Sequence, residues 1–146
     1  MQDIKIIKIL LVEDNPGDIR LTQEVFKEGK MKNELSVVMD GEEAIAYLKK
    51  TGKYKDVTTP DLILLDLNLP KKDGREVLAE IKRDKTLASI PVIVLTTSSA
   101  EEDIAITYLN HANCFITKPV DFNQFIKVVK AIEDFWLTIV KLPANK

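Results

Sequence analysis

Glu13 and Asp14 directly follow the apolar run Ile7–Val12, and Asp66 closes a second run, "LILLD". A third run, "PVIVL", leads into Thr96, Thr97 and Ser98, and a fourth, "CFIT", into Lys118 and Pro119. A carboxylate beside a buried apolar stretch is unfavourable unless something compensates it. Three acids on one small surface repel each other, and a hard cation relieves the repulsion. Oxygen ligands with room for several waters suit Mg2+. A lysine of compensating sign and a threonine hydroxyl complete a set suited to a phosphoryl group. Cation and lysine neutralise its oxygens, and one carboxylate can attack phosphorus. Taken singly, each piece has an ordinary reading. An acidic pair after a strand is commonly a helix cap or a solvated loop, Asp66 could cap the next turn, and Lys-Pro is a common dipeptide. Thr96 and Thr97 could be plain strand-end residues. Their joint occurrence at four strand ends, in one order, carries the weight.

These groups meet only if the apolar runs are parallel strands. The pattern predicts that arrangement. Five short strands are read at Ile7–Val12, Leu35–Met39, "DLILLD", "IPVIVLT" and "CFIT". Between them lie helical stretches: "GDIRLTQEVFKEG" with Gly29 as a stop, "GEEAIAYLKKTG" ended by Gly52, "GREVLAEIKRD", and "AEEDIAITYLNH". A long final helix runs from Asp121 to about Lys141, and Pro143 ends it. Strands alternating with helices imply right-handed crossovers and a mostly parallel sheet covered on both faces. Continuous apolar strands fit that burial. Ligands of such sheets bind beyond the carboxyl ends of the strands. Asp66 is therefore expected at the mouth of a pocket, not inside the core. Only Lys53–Pro60 reads as a longer loop.

The chain has 146 residues, 45% of them apolar, enough for one domain with a real core. Its net charge of -2 offers no basic excess for phosphate backbones, so nucleic acid is not the expected partner. Cys114 is the single cysteine, which excludes an intramolecular disulfide and suggests a reducing compartment. No apolar run approaches the roughly 18 residues of a membrane span. No signal peptide is visible, and the expectation is a soluble cytoplasmic domain.

"LLVEDN", "LILLDLNLPKKDG", "PVIVLTTS" and "FITKP" stand in the order and spacing of the receiver domains of two-component response regulators, which the chain resembles over almost its full length. The resemblance implies a flavodoxin-like α/β fold, with a five-stranded parallel sheet in order 2-1-3-4-5 and five helices. It implies Asp66 as phospho-acceptor, Asp14 as a direct Mg2+ ligand and Glu13 as a second acid acting through water. Asn68 takes the position whose backbone carbonyl ligates the metal. Thr96, with Thr97 beside it, is similar to the switch hydroxyl that closes on the phosphate, and Lys118 to the lysine that pairs with a phosphate oxygen. Pro119 resembles the residue that follows that lysine. Phe115 holds the aromatic switch position; many members have tyrosine there, so no phenol hydrogen bond is available in this chain.

"DLNLPKKDG", "VLTTSSAEEDI", "NCFITKP" and "IEDFW" bring the likeness closer to small stand-alone regulators that partner cyanobacterial phytochromes. Only a few residues follow Leu142, too few for an output domain. A single receiver domain, 1–146, with an extended final helix is therefore expected. Its implied donor is a sensor histidine kinase, phytochrome-like or other. It would catalyse only its own phosphorylation and dephosphorylation. Two other classes fit the residues less well. A phosphatase with an aspartyl nucleophile needs a general acid two residues on, where Asn68 stands. A flavin carrier needs a hydroxyl- and glycine-rich phosphate loop after the first strand, where "EDNPGD" is acidic. No nucleotide P-loop motif is present.

Some residues remain outside this scheme. His111 suits a surface or helix-capping role, and Cys114 a small buried apolar one. Lys71 and Lys72 lie near the expected pocket, either solvated or facing an acidic partner. The final helix, about 21 residues or roughly 31 Å, is longer than a typical strand of about 17–20 Å. Its overhang carries Phe135, Trp136, Ile139 and Val140. Either it folds back over the domain or it pairs with a second copy. Monomers avoid an exposed patch of that kind, so a homodimer with those residues at the interface is expected.

Overall fold

The apolar runs that end at Val12, Asp66 and Leu95 form strands whose alternate side chains face opposite ways and are buried on both sides. The computed structural model describes residues 6–29, 32–96, 114–117, 123–127, 130, 131 and 134. In chain order these give β1 (Ile7–Val12), α1 (Pro16–Lys27), β2 (Asn33–Val38), α2 (Gly41–Lys49), a 3-10 turn (Gly52–Tyr54), β3 (Leu62–Asp66), α3 (Gly74–Arg83), β4 (Val92–Thr96) and β5 (Cys114–Thr117). The described residues between 123 and 134 are helical and belong to the final helix. The sheet has the order β2-β1-β3-β4-β5, and every neighbouring pair is parallel. The helix expected at Ala100–His111 lies outside the described residues. Among the described residues no helix is long and apolar enough to cross a membrane.

The two faces of the sheet carry separate cores. Leu10, Val12, Ile63, Leu65 and Val94 pack with Ala44 and Leu48 of α2 and Val77, Leu78 and Ile81 of α3. On the other face Ile9, Leu11, Leu64 and Ile93 meet Val25 and Phe26 of α1 and Phe125 of the final helix. The Phe26 and Phe125 rings meet edge to face, with centroids 6.3 Å apart. Burial on both faces is why these strands read as unbroken apolar runs rather than alternating ones.

Each bounded helix starts at the carboxyl edge of the sheet with a capped first turn. Asn15 Oδ1 accepts the Asp18 N–H at 3.0 Å, and Asp40 Oδ1 accepts the Glu43 N–H at 2.8 Å. Asp73 caps α3 reciprocally: its Oδ1 accepts the Arg75 N–H at 2.7 Å, and Glu76 accepts the Asp73 N–H at 3.3 Å. Acids sit in the first turns (Asp18; Glu42 and Glu43; Glu76) and bases in the last (Lys27; Lys49; Lys82 and Arg83), matching the helix dipole. Asp73→Ala is expected to lower stability by about 1 kcal/mol, read as a lower urea midpoint with unchanged slope. An unmoved midpoint would show that the cap contributes nothing.

Two of the boundaries that differ from the sequence reading have a clear physical cause. β2 begins at Asn33, not Leu35, because Glu34 pairs with Lys8 of β1 across the edge (2.7 Å). α2 stops before Gly52: Lys50 takes the left-handed conformation (φ 58°) and the Thr51 N–H returns to the Ala46 carbonyl at 3.0 Å. The stretch read as a loop opens with the 3-10 turn, held by Tyr54. Its ring lies 5.2 Å from that of Tyr47, and its hydroxyl donates to Glu43 Oε1 at 2.5 Å. Burial, and after it Glu43, push the Tyr54 phenol up to about 12, so it remains a donor through the physiological range.

Candidate metal centre

β1 and β3 are neighbours, and their register sets Val12 opposite Leu65. Glu13 and Asp66, one residue further on, therefore arrive together at the carboxyl edge. The Glu13 N–H donates to the Val38 carbonyl at 3.0 Å, tying that residue to β2 as well. One carboxylate oxygen from each of Glu13, Asp14 and Asp66 lies within 4.8 Å of the others. Glu13 is fully buried (0% exposed) and Asp66 nearly so (2%), whereas Asp14 is exposed.

Two ionised buried carboxylates at that separation repel by on the order of 3 kcal/mol at an effective dielectric of about 20. Backbone amides offset part of this: Asn15 N–H donates to Glu13 Oε2 at 3.1 Å, and Asn68 N–H to Asp66 Oδ1 at 2.9 Å. A divalent cation would neutralise more of it. The donor set is entirely oxygen, drawn from two adjacent strand ends and open to solvent through Asp14, which fits a hard cation that keeps some of its waters.

The structure thus brings Glu13, Asp14 and Asp66 together and sets Asn68 two residues beyond, bonded through its amide to Asp66. Thr96 ends β4, the strand beside β3, opposite Thr117 of β5, and Phe115 lies opposite Val94. Thr97, Lys118, Pro119, Phe135, Trp136, Ile139 and Val140 lie outside the described residues. Lys71 and Lys72 are engaged within the chain. Lys71 Nζ is 3.7 Å from Asp40 Oδ2, and Lys72 Nζ is 2.7 Å from Glu80 Oε2. The latter contact raises the Lys72 ammonium above its ordinary value.

The family of the response regulator receiver domain matches residues 9–130. The chain belongs to that family. As a receiver domain it is a signalling protein with a divalent-metal site, and the acid cluster is consistent with such a site. Among curated receiver proteins, response regulator Rcp1 of Synechocystis is 53% identical over 136 residues, covering 93% of this chain and 92% of Rcp1. Two solved receiver structures are equally alike. The phosphorylated cyanobacterial phytochrome response regulator RcpA has 56% identity and a TM-score of 0.80, over 92% of this chain and 96% of its own. The Mn2+-bound form of Rcp1 has 52% identity and a TM-score of 0.78, over 90% and 94%.

Sequence reasoning missed the residues that hold the receiver site from behind. Asp40-Gly41 and Asp73-Gly74 each open a helix, and both glycines press on the segment after Asp66. The repeated Asp-Gly was the available signal.

Proposed function

We infer that Asp66 accepts a phosphoryl group from the phosphohistidine of a sensor kinase, with Mg2+ as the physiological cation. The observation that carries this is the meeting of Glu13, Asp14 and Asp66 within 4.8 Å at the end of β1 and β3. Three acids gathered at one strand edge, with an all-oxygen donor set, suit a metal-assisted site. Asp14 and Asp66 would hold the cation, with the Asn68 carbonyl, and Glu13 would act through a water. Bound there, the cation neutralises charge on the transferred group's oxygens. The Asp66 carboxylate forms the new O–P bond while the donor's N–P bond breaks, and the imidazole leaves with the electron pair. Lys118 and the Thr96 hydroxyl then engage the phosphoryl oxygens, and the shift alters partner binding. Thr97, Phe115 and Pro119 support that switch.

The phosphorylated form of RcpA and the Mn2+-bound form of Rcp1 support this assignment. RcpA is a cyanobacterial phytochrome response regulator, which favours a phytochrome-like kinase in the cytoplasm. The matches span nearly all of Rcp1 and RcpA, which supports a stand-alone receiver-domain regulator. It would pair through Phe135, Trp136, Ile139 and Val140.

Incubation with a small acyl phosphate and Mg2+ tests the reading. The expected result is a mass gain of one phosphoryl group, lost when the metal is chelated. Uptake that is equally fast without a divalent cation would sink it. Asp14→Ala is expected to weaken Mg2+ binding at least about tenfold. It leaves the metal-free protein no less stable, because it relieves repulsion between acids. Calorimetric titration and a thermal melt measure both. Wild-type affinity would remove Asp14 from the ligand set.

A further inference from the structure

The segment that follows Asp66 is clasped by two helix starts. An added Cβ at Gly74 would meet the Leu67 Cα at 2.6 Å, and one at Gly41 would meet the Lys72 carbonyl carbon and Cβ at 2.7 Å each. The Gly41 N–H donates to the Pro70 carbonyl at 3.4 Å, and the same oxygen accepts the Lys72 N–H at 2.8 Å. Lys71, between them, is held in the left-handed region (φ 67°), a strained backbone for a side chain of its size. Asp40 is buried (8% exposed) although it is not one of the clustered acids. One of its oxygens caps α2 and the other faces the Lys71 ammonium at 3.7 Å.

We propose that Asp40 and Gly41 are positioning residues: the N-terminus of α2, which supplies no ligand, holds residues 68–72 in the bend that sets the Asn68 carbonyl for the metal. The proposal rests on the reading of Asp66 and Mg2+ given above. The backbone contact at Gly41 is the stronger hold, since the Lys71 ammonium is mostly exposed and its pairing is screened.

The test is Mg2+ titration by calorimetry on wild type, Gly41→Ala, Asp40→Asn and Leu48→Ala, with amide exchange of residues 68–72 in the metal-free proteins. Leu48 is buried at the other end of α2, in the cluster on which Leu69 also packs, so its truncation loosens the helix while leaving the Gly41 contact with Lys72 in place. Gly41→Ala is expected to weaken Mg2+ at least about tenfold, as loss of an outer support does at other metal sites, and to speed exchange in the bend. Asp40→Asn keeps the cap, because asparagine caps as well as aspartate, and loses only about two- to threefold. Leu48→Ala keeps wild-type affinity. A Gly41→Ala protein that binds as wild type does, or a Leu48→Ala protein that loses as much, overturns the proposal. If Gly41→Ala does not fold, Asp40→Asn decides, and unchanged affinity with unchanged exchange overturns it. A wild type that takes up no Mg2+ overturns the metal reading itself, and this proposal with it.

Discussion

Asparagine at position 66 removes phosphoryl uptake and leaves the fold standing. The side chain is almost fully buried at the end of β3, so its shape matters as much as its charge. An amide has nearly the same shape, and its oxygen can still accept the Asn68 N–H that Asp66 Oδ1 now accepts at 2.9 Å. It also takes one negative charge out of a crowded cluster, which favours the folded metal-free state. What it lacks is a nucleophilic oxygen. Uptake from an acyl phosphate in Mg2+ should fall by at least about a thousandfold, a loss in keeping with removal of a nucleophile elsewhere. Intact mass gives the uptake, and a thermal melt with far-UV dichroism follows the fold. A variant that gains phosphate at the wild-type rate would place the acceptor on another residue.

The second large effect is expected from Gly74→Val, which adds no charge and touches no acid. The first residue of α3 packs against the chain where β3 ends, and even a methyl there would meet the Asp66 carbonyl oxygen and the Leu67 Cα. These are backbone atoms anchored by two hydrogen bonds, Leu67 N–H to Leu95 at 3.0 Å and Gly74 N–H to Leu67 at 3.1 Å. They cannot swing aside as a side-chain tip would. A branched residue therefore forces β3 and α3 apart, at a cost of about 3 kcal/mol, the upper end of ordinary overpacking. For a chain of this size that is a fall of about 6–12 °C in melting temperature. Any movement of β3 carries Asp66 with it, so phosphoryl uptake should drop in the protein that remains folded. Unchanged melting would mean that α3 can shift freely, contrary to its tight capping.

β1, β3 and β4 were legible because burial on both faces turns them into unbroken apolar runs, and β1 and β5 were placed to the residue. The start of β2 was not, since Asn33 and Glu34 are polar. Only the neighbouring Lys8 makes a glutamate suitable at that edge. The end of α2 was misplaced because a lysine, not a glycine, takes the left-handed position there. At the site, the acids announced themselves by standing where apolar runs stop. Their unequal burial did not: Glu13 and Asp14 are adjacent in sequence, yet one is sealed by β2 and β3 and the other faces solvent. The approach of Gly41 to Lys72 was illegible for a simpler reason. It joins two segments whose proximity exists only once α2 and α3 lie side by side on the sheet.

The capped helices have an effect beyond their own stability. All three bounded helices run against the strands, so their acidic first turns gather beside Glu13, Asp14 and Asp66, and their basic last turns gather at the opposite end. The described part of a chain whose net charge is -2 is thereby polarised along the strand axis. To a distant charged partner such a molecule is a lever more than a monopole. It turns before it touches, presenting its negative pole to a cationic surface and its positive pole to an anionic one. Encounter rates with charged partners then vary with ionic strength more steeply than so small a net charge implies, and the approach is already oriented when contact begins.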